Sequence, residues 1–150
     1  MERRQFLGVV AASSATLAGC LGLGGDDGAD ADTSSPEAAV ETWYEAQNEG
    51  DEDLADAVLH SRSPQRPFET RPAPAGGAAN VESTTIVAEN LAAEEIDQEV
   101  RFELEEETVT AVAETENAVV EVEISFESDI PGQTHRHLVA RERGEWRVVA

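Results

Sequence analysis

The chain of 150 residues holds one cysteine and no lysine; all 10 of its basic residues are arginine. A single thiol forms no intramolecular disulfide, so any folded part must be held by its core. Aromatic residues are few, with two Trp, one Tyr and four Phe, which leaves aliphatic side chains to fill that core. No apolar run approaches the ~20 residues that a bilayer crossing needs. The usual catalytic signatures are missing as well: there is no G-x-S-x-G elbow, no glycine-rich phosphate loop and no H-E-x-x-H. Positive charge is scarcest of all, since 32 acids stand against 10 bases, a formal net charge of -22. Such a surface repels phosphate backbones and anionic headgroups, so no nucleic acid is expected as a partner. It also repels itself, and at molar salt, where the Debye length falls to ~3 Å, that repulsion is screened.

What is present begins with Met1 to Cys20. Arg3 and Arg4 are followed by Gln5, Phe6 and Leu7, then by an uncharged run of small and apolar residues that stops at Cys20. A basic head, a short greasy middle and a small-residue exit is the order of an export signal. Arg3, Arg4, Phe6 and Leu7 resemble the core of a twin-arginine signal, with Glu2 where such signals prefer Ser or Thr. Leu17, Ala18, Gly19 and Cys20 resemble a lipobox. That resemblance implies cleavage ahead of Cys20 and a diacyl-type lipid on its sulfur, a thiolate being a good nucleophile for lipid transfer. Two acyl chains hold a protein stably to a membrane, where one holds it marginally. The expectation is a signal peptide over 1–19 and a lipid-anchored protein on the cell membrane, facing outside the cytoplasm. The acidic, lysine-free composition resembles that of proteins from salt-loving archaea.

From Cys20 to Ser35 the chain is rich in Gly and Asp and has nothing to bury, which predicts a lipidated cysteine followed by a flexible acidic tether over 20–35. Asp26, Asp27, Asp30 and Asp32 lack the alternating ligands, turn glycine and closing glutamate of a calcium loop. A folded domain is expected over 36–150. Ser35-Pro36-Glu37 is a helix start, with a capping hydroxyl, a proline at the first position and an acid at the dipole. Val40, Trp43, Tyr44 and Gln47 then share one face, with Ala39 and Ala46 flanking. Gly50 ends this helix and Asp51 caps a second, on which Leu54, Ala55, Val58 and Leu59 align. Ser61 to Asn80 breaks the pattern with Pro64, Pro67, Pro72, Pro74 and Gly76-Gly77, and gathers Arg62, Arg66 and Arg71 against Glu69. This locally positive loop is a candidate anion or partner contact, or else its arginines pair with neighbouring carboxylates.

Val81 to Glu89 is β-branched enough for a strand. Leu91 to Glu114 stays open: Ala92 to Val100 favours helix, and Glu105, Glu106 and Glu107 suit a helix start ahead of Val109 and Val112, although Thr108 to Ala113 also fits a strand. Helix is the expectation. Val119 to Glu127 alternates cleanly, with Val120, Val122, Ile124 and Phe126 opposite Glu121, Glu123, Ser125 and Glu127. Thr134 to Glu142 and Glu145 to Val149 flank Arg143-Gly144, a two-residue hairpin turn. In that register Glu142 faces Glu145, two like charges opposed, and Arg141 faces Trp146; His135 and His137 then lie on the Trp146 side. Two histidines on one strand face are half a metal site, but no third ligand falls at a fitting spacing. No metal is expected, and both are read as surface residues near a strand end. His60 is read as a cation closing the second helix.

Two N-terminal amphipathic helices, antiparallel strands and a last hairpin ending Gly144-Glu145-Trp146-Arg147-Val148-Val149 resemble the nuclear-transport-factor-2-like superfamily, which includes SnoaL-like domains. The matching residues are Ala39, Val40, Trp43, Tyr44, Ala46, Gly50, Asp51 and Leu54, then Leu138, Val139, Gly144, Trp146 and Val148. The resemblance spans Pro36 to Ala150 and implies an α+β fold, with N-terminal helices packed on a curved antiparallel sheet that closes into a cone with a hollow. Trp43, Tyr44, His137 and Trp146 are then the candidate cavity residues, the three aromatics being expected chiefly as core. The superfamily's hollow serves enzymes, ligand binders and interaction modules alike, so fold does not transfer activity. No residue is marked as catalytic and no cofactor is implied. The expected role is a non-catalytic module that binds a small ligand or an envelope protein. The alternatives are a SnoaL-like enzyme with an acid-base residue in the cone cavity, and a bare structural module of the cell surface.

Overall fold

In a computed structural model of the chain, residues 31–69, 77–99 and 104–150 are described. Arg3, Arg4, Phe6, Leu7, the lipobox Leu17 to Cys20, Asp26, Asp27, Asp30 and Arg71 lie outside them. Among the described residues no helix is long and apolar enough to cross a membrane.

Helix α1 (Pro36–Glu49) starts where Ser35 Oγ accepts the Ala38 N–H at 3.1 Å and stops at Gly50, whose φ of 68° is the left-handed C-cap. Its buried stripe is Ala39, Val40, Thr42, Trp43, Tyr44 and Ala46. Gln47, expected on that stripe, is exposed, and Thr42, on another side of the helix, is buried. Thr42 is covered by the chain ahead of the helix, where its Oγ1 donates to the Asp32 carbonyl at 3.2 Å. The Trp146 N–H donates to the Thr33 carbonyl at 3.1 Å, and Ala31 packs on the core. Ala31, Asp32 and Thr33, inside the stretch expected to be free tether, are therefore docked on the body. Helix α2 (Glu52–Val58) is capped by Asp51, which accepts the Leu54 N–H at 3.0 Å, and it buries Leu54, Ala55 and Val58.

Four strands follow the order β1-β2-β3-β4, each antiparallel to its neighbour: β1 (Ala79–Glu89), β2 (Asn117–Phe126), β3 (Gln133–Glu142) and β4 (Glu145–Val148). Two register shifts, between Val81 and Ser83 and between Ile86 and Ala88, bend β1 against β2. Arg143 and Gly144 turn the last hairpin with φ of 54° and 82°, so Glu142 faces Glu145 and Arg141 faces Trp146, as the two-residue turn requires. Two helices, α3 (Ala93–Glu99) and α4 (Glu106–Ala113), connect β1 to β2. The helix expectation holds for the ambiguous stretch, and its reason is visible in α4, where Thr108, Val109 and Val112 are buried at i, i+1 and i+4.

The sheet carries a core on each face. Ala118, Val120, Val122 and Ile124 pack with α1 and α2 on one side. Val119, Leu138 and Ala140 pack with Ile96, Val109 and Val112 of α3 and α4 on the other. Each fully buried valine or leucine contributes ~1.5–3 kcal/mol of transfer free energy. Because α3 and α4 cover only one end, residues 117–120 are buried on both faces, whereas Glu123 remains exposed further along β2. The alternation read from β2 thus holds in its second half and is overridden in its first. The chain is α+β, with its N-terminal helices against an antiparallel sheet.

Candidate functional site

The polar centre of the α1 side lies where Tyr44 meets β3. The strand's period of two puts His135 and His137 on the α1 face, opposite Val122 and Val120 of β2. Tyr44 Oη is 2.8 Å from His137 Nε2 and 3.4 Å from His135 Nδ1. Gln133 Oε1 can only accept, so a neutral His135 carries its proton on Nε2 and takes the Tyr44 proton at Nδ1, and the Tyr44 oxygen accepts from His137 Nε2–H. The Tyr44 and His137 rings meet edge to face, with centroids 5.4 Å apart. His137 is not the surface residue expected: it is 7 % exposed, because α1 lies over it. His135 remains exposed, with Nε2 3.0 Å from Gln133 Oε1. Burial pushes the His137 imidazole down to about 4, with the nearby Ala150 backbone opposing the shift and His135 adding to it. Burial also pushes the Tyr44 phenol up to about 12. Both groups are therefore neutral near pH 7. His137 Nδ1 is buried and has no hydrogen-bond partner among the described residues, an uncommon state for an interior nitrogen.

Tyr44 also lines an open groove of about 530 Å³ between α1 and β1, with Glu41, Glu45, Asn48 and Glu49 on one wall and Ala79 to Ser83 on the other. Asn48 brackets Ala79: its Nδ2 donates to the Ala79 carbonyl at 2.7 Å and its Oδ1 accepts the Ala79 N–H at 3.0 Å. Glu41 accepts from Thr84 Oγ1 at 2.8 Å. Of the four expected cavity residues, only Tyr44 is on this lining. Trp43 is buried, edge-on to Phe68 at 5.2 Å. Trp146 is partly buried, with the Arg141 guanidinium 5.8 Å from its ring. The structure thus brings Tyr44 and His137 together and sends the two tryptophans elsewhere.

Arg62 and Arg66, the described arginines of the loop after α2, do not converge either. Arg62 Nη1 is 3.2 Å from Glu107 Oε1, while Arg66 Nη1 donates to the Leu59 carbonyl at 3.4 Å. The loop is held down by Phe68, whose N–H donates to Asp56 at 2.9 Å. His60 differs from its expected role too. Helix α2 ends at Val58, and His60 lies beyond it, 7 % exposed. Its Nδ1 accepts the Arg62 N–H at 3.1 Å and its Nε2 lies 3.2 Å from Glu142 Oε2. An acceptor at Nδ1 places the proton on Nε2, so the ring is neutral and donates to Glu142. Burial lowers its pKa, and Arg147 and Arg62 add to this against Glu142. Burial alone would raise the Glu142 carboxyl, but the Ser61 N–H at 2.9 Å, His60 and Arg147 together hold it below its usual range. With both nitrogens engaged, His60 has no lone pair left to activate Ser61.

Two residues that organise these regions were not singled out from the sequence. Asn48 is one. The other is Asn117, 1 % exposed, whose Nδ2 donates to the carbonyls of Leu91, Val112 and Thr115 and whose Oδ1 accepts the Leu91 N–H at 2.8 Å. The available signal was an amide opening an otherwise apolar strand start, Ala118-Val119-Val120. No group of three or more His, Cys, Asp or Glu arranged for a metal occurs among the described residues. No family model matches the chain, and no curated protein or solved structure matches it.

Proposed function

We propose that this chain is a lipid-anchored module outside the cytoplasm, held to the membrane through Cys20, whose nuclear-transport-factor-2-like body binds a small ligand or an envelope protein without catalysing a reaction on it. One observation carries the binding reading. The open groove reaches only the outer member of the buried pair: it is lined by Tyr44 and carboxylates, and His137 is not on its lining. An enzyme of the SnoaL-like kind needs its acid-base group inside the cavity that holds substrate. The anchor reading is supported by the order Arg3, Arg4, greasy run, Leu17-Ala18-Gly19-Cys20.

Fractionating native cells tests the anchor. The wild-type chain is expected with the membranes and the Cys20→Ser chain free of them; equal retention of both defeats the anchor. Native mass spectrometry of the purified protein in molar salt tests the binding role, with a ligand or partner expected to co-purify. A second reading, the SnoaL-like enzyme, draws on His137 Nδ1, buried and unpartnered. If a turnover activity is found and His137→Gln abolishes it while leaving the melting temperature in place, the enzyme reading replaces the first.

A further inference from the structure

The two edges of the sheet are treated differently by the chain's own residues. At β4 the edge is closed: the His60 N–H donates to the Val148 carbonyl at 2.8 Å, the Trp146 N–H donates to Thr33 at 3.1 Å, and Leu59 bridges Val148 in parallel. At β1 the outer edge has one partner among the described residues, the Asn48 amide. It occupies both the N–H and the carbonyl of Ala79, as the next strand of a sheet would. Backbone direction alternates within each regular run of β1, Ala79–Val81 and Ser83–Ile86, so alternate residues of each run turn the same pair of groups outward between the register shifts. An edge of this kind is a template for an added strand.

The surroundings decide what fits there. The groove beside β1 carries Glu41, Glu45, Glu49 and Glu82 and no basic residue. A second copy of this chain would bring Glu82 and Glu89 of another β1 against the same carboxylates, on a body whose formal charge is already -22. Charge therefore disfavours self-pairing and favours a cationic strand. Val87, on the same strand and 41 % exposed, offers an apolar contact for the side chains between the charges.

We infer that the open edge of β1, with the α1–β1 groove beside it, takes an extended segment bearing arginine or lysine, which pairs with β1 backbone to backbone and lays its cationic side chains along Glu41, Glu45 and Glu49. The inference rests on the reading of the folded body as a binding module, and is independent of the anchor at Cys20.

The test uses the full chain and a labelled short peptide of alternating arginine and valine, read by fluorescence anisotropy and by hydrogen exchange. The peptide binds, and the outward amides of β1 gain protection. Methylating alternate backbone nitrogens of the peptide removes the donors an added strand needs and weakens binding by about tenfold or more. The double variant Glu45→Arg, Glu49→Arg weakens it by about tenfold through like-charge repulsion; it also puts cations in the last turn of α1, where they favour the helix, so misfolding does not mask the result. Equal binding of the methylated peptide overturns edge pairing. Equal binding by the double variant, or by a glutamate-valine peptide, overturns the charge selection. Protection of β1 that grows with protein concentration in the absence of peptide assigns the edge to a second copy and overturns the inference. A protein that ignores every peptide yet retains a ligand in native mass spectrometry keeps the binding reading and loses this one.

Discussion

Asn117 and His137 are both buried polar side chains on neighbouring strands, one under α3 and α4 and the other under α1. Asn117 has every polar atom engaged, joining β2 to the start of α3 and the end of α4. His137 has Nε2 engaged by Tyr44 and Nδ1 left over. A fully satisfied buried amide rigidifies the fold around it, whereas a half-satisfied imidazole costs stability and persists for some other reason. The difference marks Asn117 as a structural residue, whereas His137, like Arg147 with its unpartnered Nε, keeps a buried nitrogen that the described side chains do not satisfy.

Substitutions at the two positions break the comparison, and Asn117→Leu is expected to act most strongly. It orphans the Leu91 N–H and the carbonyls it bridges, and costs on the order of 3–5 kcal/mol, read from urea unfolding in high salt. Acid sharpens the contrast. His137 is held near 4 in the fold and returns to about 6.5 when unfolded. The unfolded chain therefore binds the extra proton between those values, so this contribution is intact above pH 6.5 and is lost as pH falls towards 4, by ~3 kcal/mol at most. His137→Phe removes that part of the acid slope and leaves stability at pH 7 within about 1 kcal/mol of wild type; an unchanged slope means His137 is not the group responsible. Tyr44→Phe deprives His137 of its one partner and costs about 1–2 kcal/mol at pH 7, measured by thermal melting. Arg62→Ala is the smallest, under about 0.5 kcal/mol, because its pair with Glu107 is exposed.

Local patterns were legible and coverage was not. The start and stop of α1, the cap of α2 and the turn at Arg143-Gly144 each depend on a few adjacent residues, so the sequence contains them. Even the hairpin register, with its like charges opposed at Glu142 and Glu145, followed from turn length; the hydrogen bond from neutral His60 to Glu142 and the ion pair of Arg147 with Glu145 explain why it is tolerated. The burial of His137 depends instead on α1, some ninety residues earlier, lying across β3. Likewise Val119 is buried because α3 and α4 happen to reach that end of β2, and no periodicity within β2 records it. Thr42 is buried through a bond to Asp32, in a stretch whose composition reads as tether. Of the expected cavity group, the register argument put His137 on the Trp146 side of the sheet, but it was Tyr44, read only as part of the α1 stripe, that came to lie on His137.

The lead-in at Thr33 joins the molecule beside β4, at the opposite border of the sheet from β1. Three interstrand spacings, ~14 Å, separate those borders. Under the anchor proposed above, a pull would fall on the closed border, and the β1 border, with the Asn48 amide as its partner among the described residues, would stand away from it.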